Sequence, residues 1–297
     1  MIMYLFRAVF CKKKSPLLTL SFICLFPAFA LSQPENQFPA GGYNLVIEAR
    51  PSVPYPGLDN YNVDLTASGV GPNYTVSVSR HHIIPFNVLR LFYNRVVENN
   101  ALANARGFFG TYANNVRFYA QANGINCDSL GDDLITAANI AQAQGYGIVH
   151  GSGNDNAPGF DTFEQFYAWI PGNLFIGPNN RSDDPHDGFE SGAGVVVGSG
   201  TFSILSRLYS NMNRYNNGDD SVLNAIVVDL TKIASHKKIY TLRAEDWEFI
   251  GGKYRLRKLE PEFNNNADID SDYYSDKCDN EQPTYNGFIF GLFFFNK

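Results

Sequence analysis

Apolar positions along this chain change period several times, and each change marks an element. Tyr74, Val76 and Val78 alternate with Thr75, Ser77 and Ser79, the period of a strand with one buried face. That strand delivers the chain to Arg80-His81-His82. Pro85 suits the first turn of a helix, and Val88, Leu89, Leu91, Phe92, Val96 and Val97 then recur at helical spacing. Residues 113–122 and 132–143 carry two more helical patterns. Residues 145–160, rich in Gly and Asn, read as loop, and the aromatic segment 163–170 runs into the turn Pro171-Gly172-Asn173. The apolar triplet Leu174-Phe175-Ile176 follows. Beyond a polar loop, residues 202–215 and 221–235 predict two helices, separated by Asn216-Asn217-Gly218-Asp219, a helix stop followed by an N-cap supply. Trp247-Glu248-Phe249-Ile250 and Lys253-Tyr254-Arg255-Leu256, joined by Gly251-Gly252, predict a hairpin with a two-residue turn. A strand at 43–48, an acidic surface loop at 260–283 and a packed strand at 288–295 complete the expectation. With neither a repeat nor a linker in view, the pattern predicts one α+β domain over residues 31–297.

The first thirty residues stand apart. Arg7, Lys12, Lys13 and Lys14 precede an apolar run over 17–30, and Ala28-Phe29-Ala30 offers small residues where a signal peptidase cuts. That run of 14 residues is shorter than the roughly 20 needed to span a membrane. The expectation is a signal peptide at 1–30, a secreted or periplasmic mature protein, and no stable membrane insertion after processing.

Processing alters charge and cysteine content. Residues 1–32 hold four basic and no acidic residues, so their loss takes the formal charge from −6 to −10. A bulk-basic nucleic-acid binder is excluded, and any polyanion contact needs a local basic patch or a metal ion. Cys11 and Cys24 leave with the signal. Cys127 and Cys278 remain, and in an oxidising compartment the simplest expectation is that they pair. Two buried free thiols are the alternative.

Candidate chemistry begins at His81 and His82, which point to opposite faces if both lie on a strand. Ser79-Arg80-His81-His82-Ile83-Ile84-Pro85 resembles the opening motif of the HNH (ββα-metal) nucleases, where a strand ends in His-His, two apolar residues and Pro. Asn173-Leu174-Phe175-Ile176 fits the second strand of that motif. The 13 positions from Asn173 to His186 resemble the spacing in the bacteriocin-type members. The resemblance rests on residues 79–86 and 171–190. It implies a strand, second strand and short helix as core, with the helices between as a large insertion and a C-terminal helix pair plus hairpin appended. It also implies roles. His81 would bind a divalent metal ion (Mg, Zn or similar), with His186, Asn180 and Asp183 as further ligands. His82 would be the general base, a step suited to near-neutral imidazole. Asn173 would hold the loop bearing His82, and Arg181 or Arg80 would clamp a phosphate oxygen. Pro185 suits the start of the short helix, with Asp184 as its cap. A glycan at the Asn180-Arg181-Ser182 sequon would block such a site.

The implied activity is a secreted metal-dependent endonuclease acting on nucleic acid, as a toxin or effector, with an inhibitor or immunity protein as a further partner. Two other classes compete. One is an exported metal-dependent phosphoesterase with a different substrate. The other is a non-catalytic binding protein that uses aromatic segments such as 163–169. His150, in a Gly-rich loop, reads as exposed, and His236 reads as a partner of the preceding helix end.

Overall fold

Helices dominate the described residues of the computed structural model, which are Ile47, Leu58, Leu65, 76–126, 130–147 and 159–258. All of these fall in the unit Phe38–Lys297; the other unit is Met1–Gln37. The expected signal peptide, Cys127, His150, the loop 260–283, Cys278 and the strand 288–295 lie outside the described residues, as does the strand at 43–48 apart from Ile47.

The architecture is α+β, with six helices and two small antiparallel sheets among the described residues. Strand β1 (Val78–His82) leads into α1 (Phe86–Glu98), then α2 (Arg106–Ala122), α3 (Asp132–Gly145) and α4 (Phe160–Ala168). Strand β2 (Leu174–Pro178) returns the chain to β1. Helices α5 (Gly194–Asn216) and α6 (Leu223–Ala234) follow, then the hairpin β3 (Trp247–Ile250) and β4 (Lys253–Leu256).

Four elements differ from the sequence pattern. Strand β1 is Val78–His82, half-buried at every residue, where the pattern placed an alternating strand over 74–79. Helix α2 starts at Arg106, ahead of 113, because Gly107 and Gly110 do not interrupt it. Gly107 lies against α6, where even an added Cβ would be in ordinary contact with Thr231. The aromatic segment is itself a helix, α4, in which every residue but Asp161 is buried, the polar Thr162, Glu164 and Gln165 included. Helix α5 begins at Gly194 and is kinked at Gly198 (φ 77°), so its first turn is a separate piece before the predicted stretch. The hairpin turn matches its expectation: Gly251 (φ 62°) and Gly252 (φ 81°) both occupy the left-handed region that a type I′ turn requires.

The core is one apolar cluster. Helix α2 packs on α3 and α6, α3 on α4, and α1 and α6 on α5. Its centre is aromatic: Phe163 has ring partners in Tyr93, Tyr112, Phe160 and Tyr167 at 5.0–6.2 Å between centroids. Tyr112 and Tyr167 satisfy their buried hydroxyls on the carbonyls of Phe163 and Leu89, at 2.8 Å each. These ties fix the chain on both sides of the β1–β2 pair.

Candidate functional site

The two stretches singled out in the sequence meet as neighbouring strands. β1 and β2 pair antiparallel with His81 opposite Phe175 and His82 opposite Leu174. β2 is the inner strand, buried throughout, because the segment at Tyr240 bonds its other edge: Ile176 N donates to Tyr240 O (2.9 Å) and Tyr240 N to Leu174 O (3.1 Å).

The turn after His82 is held by four hydrogen bonds. Ile83 N donates to Asn173 O (3.0 Å), and Glu190 N donates to Ile83 O (3.0 Å). The Asn173 side chain does the rest: Oδ1 accepts from Ile84 N and Nδ2 donates to Ile84 O, both at 2.8 Å. Asn173 is only 2% exposed, so its amide satisfies two buried backbone groups that would otherwise be orphaned. The position preceding it must be glycine. A Cβ on Gly172 would overlap the carbonyl oxygen of Ile233 at the end of α6.

The two histidines have different seats. His82 Nε2 lies 2.7 Å from the carbonyl of Ala168, and its ring packs on Trp169 at 5.3 Å. A carbonyl only accepts, so this contact puts the proton on Nε2 and leaves Nδ1 of the neutral ring with a lone pair. Burial lowers the His82 pKa, which keeps the ring neutral. The seat is braced from α2 by buried Asn123, which donates through Nδ2 to Tyr119 O (2.8 Å) and Trp169 O (3.2 Å) and accepts on its own carbonyl from Arg80 (2.8 Å).

His81 stacks on Phe175 at 5.2 Å, with Nε2 3.3 Å from both Ser79 Oγ and Gly177 O. Burial first, and the Arg181 guanidinium second, lower its pKa to about 4, while Asp184 works in the opposite direction. Its imidazole is therefore unprotonated near neutrality, the form in which histidine binds metals. Gly177 makes room for this ring, since a Cβ there would lie 2.7 Å from Trp247 Cζ2 and 3.1 Å from His81 Cδ2.

A cleft of about 640 Å³ opens beside the strand end. Arg80, His81 and His82 line it from β1, and Asn87 and Arg90 from α1. The loop after β2 contributes Asp184, His186, Asp187 and Glu190. The expected short helix at 185 is not formed. Asp184 Oδ1 accepts from His186 N (2.9 Å), Gly188 N closes a turn on Pro185 O (2.9 Å), and His186 is left-handed at φ 55°. The carboxylate thus captures the amide two residues on, a turn that competes with helix.

Three residues expected at the site lie elsewhere. Arg181 has a fully buried side chain, ion-paired with Glu190 (2.7 Å) and Asp183 (3.0 Å) and set over Trp247 at 5.2 Å. It is a structural cation here and presents no free guanidinium to a phosphate. Asp183 is occupied by Arg181 and by Leu256 N (2.8 Å), and Asn180 bonds the hairpin turn at Gly252 O (2.9 Å). Both are spent on docking the hairpin. Among the described residues, no three His, Cys, Asp or Glu side chains stand together as a metal cluster. The pattern had not singled out Glu190. Its signal was indirect, a carboxylate in a Gly-rich apolar stretch whose burial, which raises its pKa, demands a cation such as Arg181. His236 follows α6, its backbone N bonding Ile233 O (3.2 Å) and its ring Nδ1 lying 3.4 Å from Tyr240 OH.

Comparison with known proteins finds one relative, protein p9 of Acyrthosiphon pisum secondary endosymbiont phage 1, 35% identical over 156 residues. The match takes in 48% of this chain and 41% of the phage protein, so the chain spans less than half of that relative's length. No family model matches, and no solved structure matches.

Proposed function

We propose that the chain is an exported, metal-dependent endonuclease with an HNH-like site at the β1–β2 strand end. The observation that carries this reading is the convergence of residues 79–86 and 171–190 on one cleft, with His81, His82 and His186 at its wall. The clamp of Asn173 on Ile84 matches the duty the resemblance implies for that Asn. In this reading His82 takes a proton from the attacking water at Nδ1, while Nε2 stays fixed on Ala168 O. Arg80 and Arg90 bring positive charge to the cleft of an otherwise acidic chain. A divalent ion, whose chemistry would be to stabilise charge on the phosphate and leaving oxygen, would take its ligands from His81 and the turn at Asp184, His186 and Asp187, which line the cleft without forming a three-ligand cluster as they lie. In this reading phosphodiester cleavage uses this base, the Arg80 and Arg90 cations set among the carboxylates of the cleft, and that ion.

Export belongs to the same proposal, and so does a Cys127–Cys278 disulfide. A cell is spared its own nuclease when the signal at 1–30 removes it to an oxidising compartment.

The test is plasmid nicking by the chain without its signal, in Mg²⁺, Mn²⁺ or Zn²⁺. Wild type is expected to nick supercoiled DNA. His82→Ala is expected to lower the rate by about 10²–10⁴-fold with unchanged circular dichroism. Equal cleavage by the variant would remove His82 from the mechanism. A second reading, a non-catalytic binding protein, is favoured by the lack of a three-ligand cluster among the described residues. It predicts no heat of binding when any of these ions is titrated into the protein.

A further inference from the structure

A second groove, of about 680 Å³, is lined by Phe189 and by residues of α5 and its end. Phe189 sits in sequence between Asp187 and Glu190, which line the cleft, so one short segment walls both depressions. The groove is built differently from the cleft. Phe189 stacks on Tyr209 with centroids 4.8 Å apart and planes 21° from parallel, and it contacts Phe202 at 5.8 Å. Tyr209, Asn213 and Asn217 line it at successive i, i+4 positions of one face of α5 and its end.

Charge there is cancelled. Arg214 is bonded to Asp219 (2.6 and 3.1 Å), and Arg207 on the same helix is bonded to Asp229 (2.7 Å twice). Residues 191–218 contain no carboxylate, in a chain with 29 acidic residues. A groove with no uncommitted guanidinium along α5 is not a phosphate site. An aromatic pair edged by side-chain amides, which donate and accept together, suits a flat heterocycle with ring donors and acceptors.

We infer that this groove is a nucleobase subsite, in which an unpaired base of the strand held at the cleft stacks on the Phe189–Tyr209 pair. The inference rests on the nuclease reading and deepens it. A base can reach an aromatic face only when it is out of the duplex stack, so the substrate is single-stranded or locally unpaired nucleic acid.

The experiment uses the His82→Ala chain, which holds substrate without cutting it, and fluorescence anisotropy with a 5′-labelled twelve-nucleotide oligothymidylate. An abasic strand of the same length is the control. The oligothymidylate is expected to bind about ten-fold or more tightly than the abasic strand. Adding Tyr209→Leu should abolish that difference, and Tyr209→Phe should keep it. Tyr209→Leu keeps an apolar side chain but no ring and Tyr209→Phe retains the ring, so a folding defect shows as loss of abasic binding as well. Equal binding of the two strands by the parent, or an undiminished preference in Tyr209→Leu, overturns the subsite. Plasmid nicking by wild type alongside keeps the outcomes apart. Cleavage without base preference sinks only the subsite, whereas neither cleavage nor binding sinks the nuclease reading and the subsite together.

Discussion

His81 and His82 are adjacent in sequence yet face different surroundings, and their protonation follows from those surroundings. Both resist charging because burial penalises the imidazolium, and at His81 the Arg181 guanidinium adds to the penalty. A histidine whose folded pKa lies below its unfolded value contributes stability that is present at neutral pH. That stability is lost as pH falls from 6.5 through about 4 at His81. The contribution is about 3.5 kcal/mol at most, on the scale of about 1.4 kcal/mol per unit. Asp246 works the other way. Burial raises its pKa from 3.8 to about 6, so the fold gains stability from it as pH falls across that interval. Urea denaturation between pH 7 and 4 should therefore show a steeper loss of stability in Asp246→Asn than in wild type. The imidazole resonances of His81 should titrate near pH 4 by NMR, and a midpoint near 6.5 would refute its described burial. Asn173 teaches the complementary lesson. Its residue type and motif position were readable in the sequence, but its two bonds to Ile84 depend on β2 lying beside β1.

At the scale of elements, the β1–β2 pair is held from both sides, and glycine makes the close approaches there. Gly177 lies between Trp247 of the hairpin and the His81 ring. Gly177→Ala is expected to cost about 1–3 kcal/mol by overpacking and to displace His81, seen as a lowered melting temperature and a changed His81 titration. An unshifted melt would mean that Trp247 yields freely. The ion cluster of Arg181, Asp183 and Glu190 does a related job, joining the loop after β2 to the hairpin through Leu256 N. Sequence spacing predicted β1, the hairpin and most helices, since each carries a clear period or an obligatory turn residue, whereas β2 was expected only from the motif resemblance. It missed α4 and the starts of α2 and α5. Helix α4 is only nine residues long and starts inside a Gly- and Asn-rich stretch that reads as loop, and glycines within a helix imitate stops.

At the scale of the whole molecule, what matters is the compartment. No helix among the described residues is long and apolar enough to cross a membrane. The export proposal predicts that a producing cell releases a chain shortened at Ala30 or close to it, which mass spectrometry of the mature N-terminus would establish. It also predicts that this chain reacts with no thiol reagent before reduction. Closing the 151-residue loop between Cys127 and Cys278 would stabilise the fold by up to about 4–5 kcal/mol, so reduction should lower the denaturation midpoint. Two reactive thiols in the native chain would rule out the pairing.

By itself the sequence determined the elements with strong local signals: the strand leading to His82, the Gly-Gly hairpin, most helices and the α+β class. Local signals suffice there because period and turn chemistry are properties of neighbouring residues. Which of the proposed residues reach a common cleft was decided only by tertiary structure. His81, His82, Arg80 and His186 line it, while Arg181, Asp183 and Asn180 are drawn away by the hairpin and by Glu190. A carboxylate or guanidinium takes the partner that burial forces on it, and that partner is set by chain packing far beyond the reach of a motif.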